Sequence, residues 1–156
     1  MYGSDTHEGA FSETIFHNVP VRPPNPDDKM ISEKHLARRL LSTLSPQRDL
    51  TLIQLYGLSL SRIRLRRQEI IDCEADEYAR TRTWALVLHE AVPTAHGIIW
   101  VSRQNDASKA ILLFGDRVPD ADLAPVGMSI PLEFGPGLDL VREAANRAGI
   151  TLVAPS

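Results

Sequence analysis

The chain has 156 residues, which favours one domain that buries roughly two thirds of its unfolded surface. Its formal net charge of -3, from 17 basic and 20 acidic residues, argues against a nucleic-acid coat over the whole surface. The one cysteine, Cys73, cannot form an intrachain disulfide, and the composition suits a reducing cytoplasm, where we expect the protein to reside.

The sequence lacks the patterns of membrane, secreted and metal-binding proteins. No apolar run approaches the length that spans a bilayer, and the N-terminus MYGSDTHEGAF has neither the basic nor the apolar region of a secretory signal. The five histidines are scattered, and one cysteine cannot build a thiolate zinc site of the usual kind. We therefore expect no metal ion, no membrane association and no direct nucleic-acid binding.

The N-terminal segment predicts a helix followed by a stiff loop. Ser4 or Asp5 is a suitable N-cap, with Glu8 soon after it. Behind the cap, four residues have the i, i+3, i+4 spacing of a buried stripe, namely Ala10, Phe11, Thr14 and Ile15. Glu13 lies off this stripe or at its edge. Four prolines in NVPVRPPNPDD remove backbone donors and predict a loop over 18–28.

The middle of the chain mixes ambiguous and clear segments. KHLARRLLSTL, over 34–44, fits either a helix or a strand, whereas DLTLIQL, over 49–55, favours a strand. EADEYARTRTWALVLHEAV, over 74–92, predicts a helix with a wide apolar face and acidic residues in its first turn. Pro93 ends that helix.

The C-terminal half predicts the centre of a sheet. GIIWVS and KAILLFG are continuously apolar, which is typical of strands buried on both faces. GMSIPLEF fits an edge strand because it contains Pro131. LDLVREAANRAGI predicts a helix ended by Gly149, and ITLVA predicts a last strand. We therefore predict one α+β domain over 1–156, with a central mixed β-sheet flanked by helices.

Common nucleotide and hydrolase motifs do not occur. The sequence has no P-loop, no GxGxxG and no GxSxG, and GPG at 135–137 is interpreted as a turn. The basic run of Arg62, Arg64, Arg66 and Arg67 fits either an anion-binding patch or a solvated helix face. We favour the helix face, because no aromatic residues are interleaved and the net charge is negative.

Three polar residues, Ser102, Arg103 and Gln104, follow a predicted buried strand and allow two interpretations. Open-sheet proteins often bind ligands where such strands end. A plain connection, with Asn105 and Asp106 forming the turn, fits equally well. From spacing alone, Tyr2 and Glu13 have no special status.

Three stretches taken together resemble the RES family: YGSDTHEGAFSETIFHNVP, YARTRTWALVLHE and GIIWVSRQNDASKAILLFGDRV. The family is named for an arginine, a glutamate and a serine. Glu13 matches the glutamate, Ser102 matches the serine, and Tyr2 matches an aromatic residue of the same site. The family's arginine lies upstream of that aromatic residue. Since this chain begins Met1-Tyr2, we expect that arginine-bearing segment to be missing from it.

The resemblance implies a toxin of a type II toxin–antitoxin system, with a fold like that of the diphtheria-toxin-like ADP-ribosyltransferases and NAD+ as substrate. Such a toxin cleaves the nicotinamide–ribose bond and passes ADP-ribose to water, to phosphate or to a protein target. The implied partner is an antitoxin of the helix-turn-helix DNA-binding kind, in a hetero-oligomer.

The resemblance also implies roles for individual residues. The Glu13 carboxylate would stabilise the oxocarbenium-like charge on the ribose. Tyr2 would stack on the nicotinamide, Ser102 would hydrogen-bond the ribose or the amide, and Arg103 is a further candidate, for the pyrophosphate.

Two alternatives stay open. Loss of the arginine segment would leave a catalytically degenerate protein that acts only as a binding partner of an antitoxin. The third interpretation is an α+β domain with an unrelated small-molecule site.

Overall fold

The computed structural model describes residues 1–20, 25, 29–64, 66–67 and 78–154. The helices are α1 (His7–Thr14), α2 (Leu58–Arg62), α3 (Tyr78–Ala91) and α4 (Gly135–Arg147), with 3-10 turns at Glu33–Leu36 and Asp120–Asp122. The strands are β1 (Tyr2–Ser4), β2 (Met30–Ser32), β3 (Leu40–Leu41), β4 (Leu44–Pro46), β5 (Leu52–Gln54), β6 (Gly97–Val101), β7 (Lys109–Leu113), β8 (Leu123–Pro125), β9 (Ile130–Pro131) and β10 (Thr151–Val153).

A four-stranded mixed sheet, in the order β1-β7-β6-β5, forms the centre of the fold. Strands β6 and β7 are antiparallel neighbours, β1 is antiparallel to β7, and β5 is parallel to β6. The two continuously apolar segments are the inner strands of this sheet, as predicted. The predicted mixed sheet flanked by helices is therefore confirmed.

Two apolar clusters hold the helices in place. The first joins α1 to α4 and contains Phe11, Phe16 and Val141. The second lies between α3 and the sheet, where Leu88 packs with Ile98. Phe11 is only 2% exposed, and full burial of such a side chain is worth about 1.5–3 kcal/mol. Phe11 and Ile15 of the predicted stripe are thus buried and set the position of α1, whereas Ala10 is half-buried and the prediction that Thr14 is buried was wrong, because Thr14 is exposed.

The predicted N-terminal helix is present, but its predicted N-cap was wrong. Residues Tyr2–Ser4 pair with β7 as a strand, so Ser4 and Asp5 are used to hold that pairing. The Ser4 hydroxyl donates to the Lys109 carbonyl at 2.8 Å, and the Asp5 carboxylate accepts from the Lys109 N–H at 2.8 Å. Thr6 is the N-cap instead, and its hydroxyl accepts from the Gly9 N–H at 3.0 Å.

The C-terminal predictions hold except at one turn. Helix α4 ends before Gly149, whose φ of 66° places it in the left-handed region, and β10 follows and pairs in parallel with β2. The edge-strand segment forms β9 and pairs with β3. The interpretation of GPG as a turn was wrong, because it opens α4. Proline is accepted there, since the first helical N–H groups have no partner within the helix.

The ambiguous segment over 34–44 contains part of a 3-10 turn followed by β3, and the strand predicted over 49–55 is confirmed as β5. Helix α2 ends at Arg62, and Arg64 has a φ of 54°, so the basic run does not share one helix face. The predicted loop over 18–28 lies largely outside the described residues, and the acidic residues predicted in the first turn of the helix over 74–92 lie wholly outside them. Across the described ranges, no helix is both long and apolar enough to cross a bilayer.

Candidate active site

Tyr2 is placed by the edge strand of the sheet. It pairs with Leu112, which also faces Ile98, so register places the Tyr2 and Trp100 side chains on the same face. The two rings stack, with centroids 5.8 Å apart and planes inclined by 30°. The Tyr2 residue stays 42% exposed, so the phenol has an open side.

Glu13 is placed by α1. It follows Phe11 by two residues, which is about 200° around a helix, so burial of Phe11 in the core turns Glu13 away from it. The Tyr2 hydroxyl donates a hydrogen bond to Oε2 of Glu13. The strand and the helix thus bring together two of the four predicted site residues, as a carboxylate beside a partly exposed aromatic ring.

Both residues line one cleft of about 1010 Å³. Its walls are β1 with its flanks, one side of α1, the β3–β4 segment, the chain around Arg48, and two side chains of β7, Ile111 and Leu113. Small-molecule sites occupy roughly 300–1,000 Å³, so this cleft lies at the upper end of that range. It has room for an elongated ligand that reaches beyond the Tyr2–Glu13 pair.

Arg48 is a cationic residue of this cleft that sequence reasoning missed. Its guanidinium donates to the Asp122 carboxylate at 2.7 Å and to the Arg117 carbonyl at 2.9 Å, and lies 2.8 Å from Nε2 of His96. These contacts fix the arginine at the cleft wall. Nothing in the local pattern SPQRDL distinguishes it from a surface arginine, because its partners are 48 or more residues away.

Ser102 lies outside the described lining of this cleft. Its side chain is fully buried, and its hydroxyl oxygen accepts from the N–H groups of Gln104 at 3.2 Å and Asn105 at 3.3 Å. This geometry fits the interpretation of 102–106 as a turn that ends a buried strand. Direct contact between Ser102 and a ribose stays a prediction.

Arg103 is likewise absent from the described residues that line the cleft. Its Nη2 lies 3.4 Å from the His17 carbonyl, in the segment that follows α1. The structure therefore brings Tyr2 and Glu13 together, and places Ser102 and Arg103 in the connection between β6 and β7. The suggested contact of Arg103 with a pyrophosphate stays a prediction.

The fold and the cleft define a mixed α/β protein with a carboxylate and an aromatic ring paired in an open site. A model of the RES domain matches residues 1–135, and the chain belongs to that family. No curated protein and no solved structure matches it significantly. Membership in the RES-domain family implies a function associated with toxin–antitoxin systems and enzymatic activity related to NAD.

Proposed function

We propose that this protein cleaves the bond between nicotinamide and ribose in NAD+. The observation that carries the proposal is the hydrogen bond from Tyr2 to Glu13 inside a cleft of about 1010 Å³, in a chain of the RES-domain family. A carboxylate can stabilise the positive charge that develops on the ribose, and an aromatic ring offers a face for the nicotinamide.

The reaction breaks the bond from ribose C1′ to the pyridinium nitrogen. The electron pair of that bond goes to the nitrogen, so nicotinamide leaves as a neutral molecule and needs no proton from an acid. Positive charge develops on C1′ and the ring oxygen, as in glycoside hydrolysis. A carboxylate beside that charge stabilises the transition state more than the ground state, and this is the role we propose for Glu13.

Tyr2 supports this chemistry in two ways. Its ring, backed by Trp100, offers a face on which the nicotinamide stacks. Its hydroxyl holds one oxygen of Glu13, and a carboxylate with about four lone-pair sites keeps acceptor capacity for a ribose hydroxyl. Ser102 supports the site from the turn between β6 and β7.

An acceptor oxygen then attacks C1′ and releases its proton. Water and phosphate would yield free ADP-ribose products and deplete NAD+, whereas a protein side chain would become ADP-ribosylated. We propose an ADP-ribosyltransferase-like fold and action as a type II toxin held inactive by a helix-turn-helix antitoxin. Family membership supports these finer assignments.

The test is induced expression with intracellular NAD+ measured over time. We expect NAD+ to fall in the wild type and the rate to drop about a hundredfold in Glu13→Gln. Glu143→Gln is the matched control, because Glu143 is an exposed residue of α4 paired with Arg147. Both variants should unfold at thermal midpoints near that of the wild type, so that a lower rate of NAD+ loss reflects the site and not unfolding.

The other outcomes separate the alternatives. Growth arrest with steady NAD+ directs the search to an ADP-ribosylated protein by mass spectrometry. Full NAD+ consumption by Glu13→Gln would show that the mechanism is wrong. If the wild type causes no loss of NAD+ and no protein modification, that result would favour the alternative of a catalytically degenerate protein that binds an antitoxin.

A further inference from the structure

The connection between β6 and β7 contacts the N-terminal end of α1. The Thr6 hydroxyl caps the helix by accepting from the Gly9 N–H, and it shares a short hydrogen bond with the Ser108 hydroxyl. The Asn105 amide in turn donates to the Ser108 hydroxyl at 3.0 Å. Ser108 is only 2% exposed, so the hydroxyl at the centre of these hydrogen bonds is shielded from water.

The same connection contacts the segment that follows α1. The Gln104 side-chain amide donates to the Val19 carbonyl at 2.8 Å and to the His17 carbonyl at 3.2 Å, and lies 3.4 Å from the Phe16 carbonyl. These carbonyls belong to the turns that leave the helix, three to six residues after Glu13. The Gln104 side chain thus holds the backbone segment that follows α1, the helix that carries Glu13.

Ser102 holds this connection in shape. Its hydroxyl accepts from the Gln104 and Asn105 N–H groups, its own N–H donates to the Ser108 carbonyl at 3.0 Å, and its carbonyl accepts from Arg67 at 3.1 Å. The connection between β6 and β7 therefore directs Gln104 towards one end of α1 and Asn105 towards the other.

The helix held in this way carries Glu13. It has 8 residues and is about 12 Å long, so both held ends lie within two turns of the carboxylate. A shift of about 1 Å in a catalytic group can cost on the order of 100-fold in rate. We infer that residues 102–108 are a positioning device for Glu13, with Gln104 as the positioning residue for the end of α1 nearest that carboxylate. This inference rests on the proposed NAD+ cleavage.

Gln104→Met tests the device, because methionine has a similar length and cannot donate a hydrogen bond. We expect kcat for NAD+ consumption by the purified full chain to fall about 10- to 100-fold, with KM changed less than about threefold. Gln104→Glu should lower kcat at least as much, since its carboxylate oxygens are acceptors and cannot donate to the carbonyl oxygens that they face. Gln54→Met is the matched control, because Gln54 is exposed on β5 and its oxygen accepts only a long 3.3 Å bond from Ser59.

A double-mutant cycle with Glu13 distinguishes positioning from general stability. If Gln104 acts through Glu13, Gln104→Met should lower the residual rate of Glu13→Gln less than about twofold. Hydrogen exchange supplies a readout without substrate: the amides of Ile15, Phe16 and Val19 should exchange faster in Gln104→Met, while those of β6 stay protected.

The outcomes that overturn the inference differ from those that overturn the proposed function. A wild type that consumes NAD+, together with a Gln104→Met variant of unchanged kcat, would overturn the positioning role and leave the proposed function standing. Equal rate losses in the wild-type and Glu13→Gln backgrounds would also overturn it. A wild type that neither consumes NAD+ nor ADP-ribosylates a protein would overturn both, and the exchange data would then describe only how the helix is held.

Discussion

The indole of Trp100 stacks on the phenol ring of Tyr2, with centroids 5.8 Å apart and planes inclined by 30°. This contact holds the phenol from the sheet side, while its hydroxyl donates to Glu13 on α1. Tyr2 thus connects the sheet to the helix at the cleft, and its ring and its hydroxyl can be tested separately.

Tyr2→Phe removes the hydroxyl and keeps the stacked ring. We expect kcat for NAD+ cleavage to fall about tenfold, in keeping with the loss of one hydrogen bond to a charged group, with KM nearly unchanged. Tyr2→Ala removes the ring too and should raise KM as well. Trp100 fluorescence should change in Tyr2→Ala more than in Tyr2→Phe. Equal kinetics for the two variants would show that the ring makes no contribution of its own.

Gly9 is required where α1 packs against the chain of β1 and β7. A Cβ at this position would overlap the Ser4 hydroxyl and lie 2.6 Å from Cβ of Ser108. We expect Gly9→Ala to lower the free energy of unfolding by about 1–3 kcal/mol, because neighbouring buried atoms must move. Gly115→Ala is the control, since a Cβ there meets nothing within 4 Å. Urea unfolding measures both, and equal midpoints would contradict the packing role of Gly9.

Arg117 holds the end of α3. It donates to the carbonyls of His89 at 2.7 Å, Ala95 at 2.8 Å and Val92 at 2.9 Å, and its side chain is only 18% exposed. Arg117→Ala leaves three carbonyls without this donor, so we expect a loss of about 2–4 kcal/mol in the free energy of unfolding.

Arg147→Ala is the control for Arg117→Ala, because Arg147 is 64% exposed and pairs at the surface with Glu8 and Glu143. For this control variant, the loss in the free energy of unfolding should stay below about 1 kcal/mol. Arg117→Lys should recover only part of the free energy of unfolding that Arg117→Ala loses, since an ammonium group cannot reproduce the planar set of donors of a guanidinium. Denaturant unfolding at constant salt would contradict this role of Arg117 if Arg117→Ala and Arg147→Ala lowered the free energy of unfolding by the same amount.

Asp116 gives stability a dependence on acid pH. Its pKa is lowered, first by the hydrogen bond from the His89 side chain and further by its own backbone N–H and the nearby charges of His89 and Arg117, while desolvation opposes the shift. A carboxyl whose pKa is lower in the folded state stabilises that state above its ordinary pKa, and this contribution is lost as pH falls through the folded value.

Asp116→Asn should therefore be slightly less stable than the wild type above about pH 5, and the difference should close below about pH 3. Because the Asp116 side chain is 60% exposed, the difference should be small and should shrink in high salt. Thermal unfolding across this pH range, at low and high salt, measures it. A difference that stays constant down to pH 2 would rule out the titration of Asp116 as its source.

The sequence predicted the inner strands and the two long helices because their patterns are local. Unbroken apolar runs identified β6 and β7, and Gly149 identified the end of α4. It failed at Ser4 and at GPG for a common reason. Each belongs to an element other than the one predicted. Ser4 lies in β1 and bonds to a strand more than 100 residues away, and GPG forms the first turn of α4.

The candidate site was predicted only in part. The resemblance singled out Tyr2 and Glu13, which the structure joins, but it did not indicate Arg48, whose contacts come from three distant segments. The serine of the same motif is buried at the start of the turn that follows β6. A motif identifies residue types and cannot show which of them reaches the cleft.

By itself, the sequence determined the periodicities of helix and strand, the apolar core and the family, because each of these depends on neighbouring residues or on a shared pattern. Only the tertiary structure decided which polar groups meet. Tyr2 reaches Glu13 across 11 positions of the chain, and Gln104 reaches Val19 across 85. A hydrogen bond forms only within about 3.5 Å, so these pairings depend on strand register and helix packing, which sequence spacing does not specify.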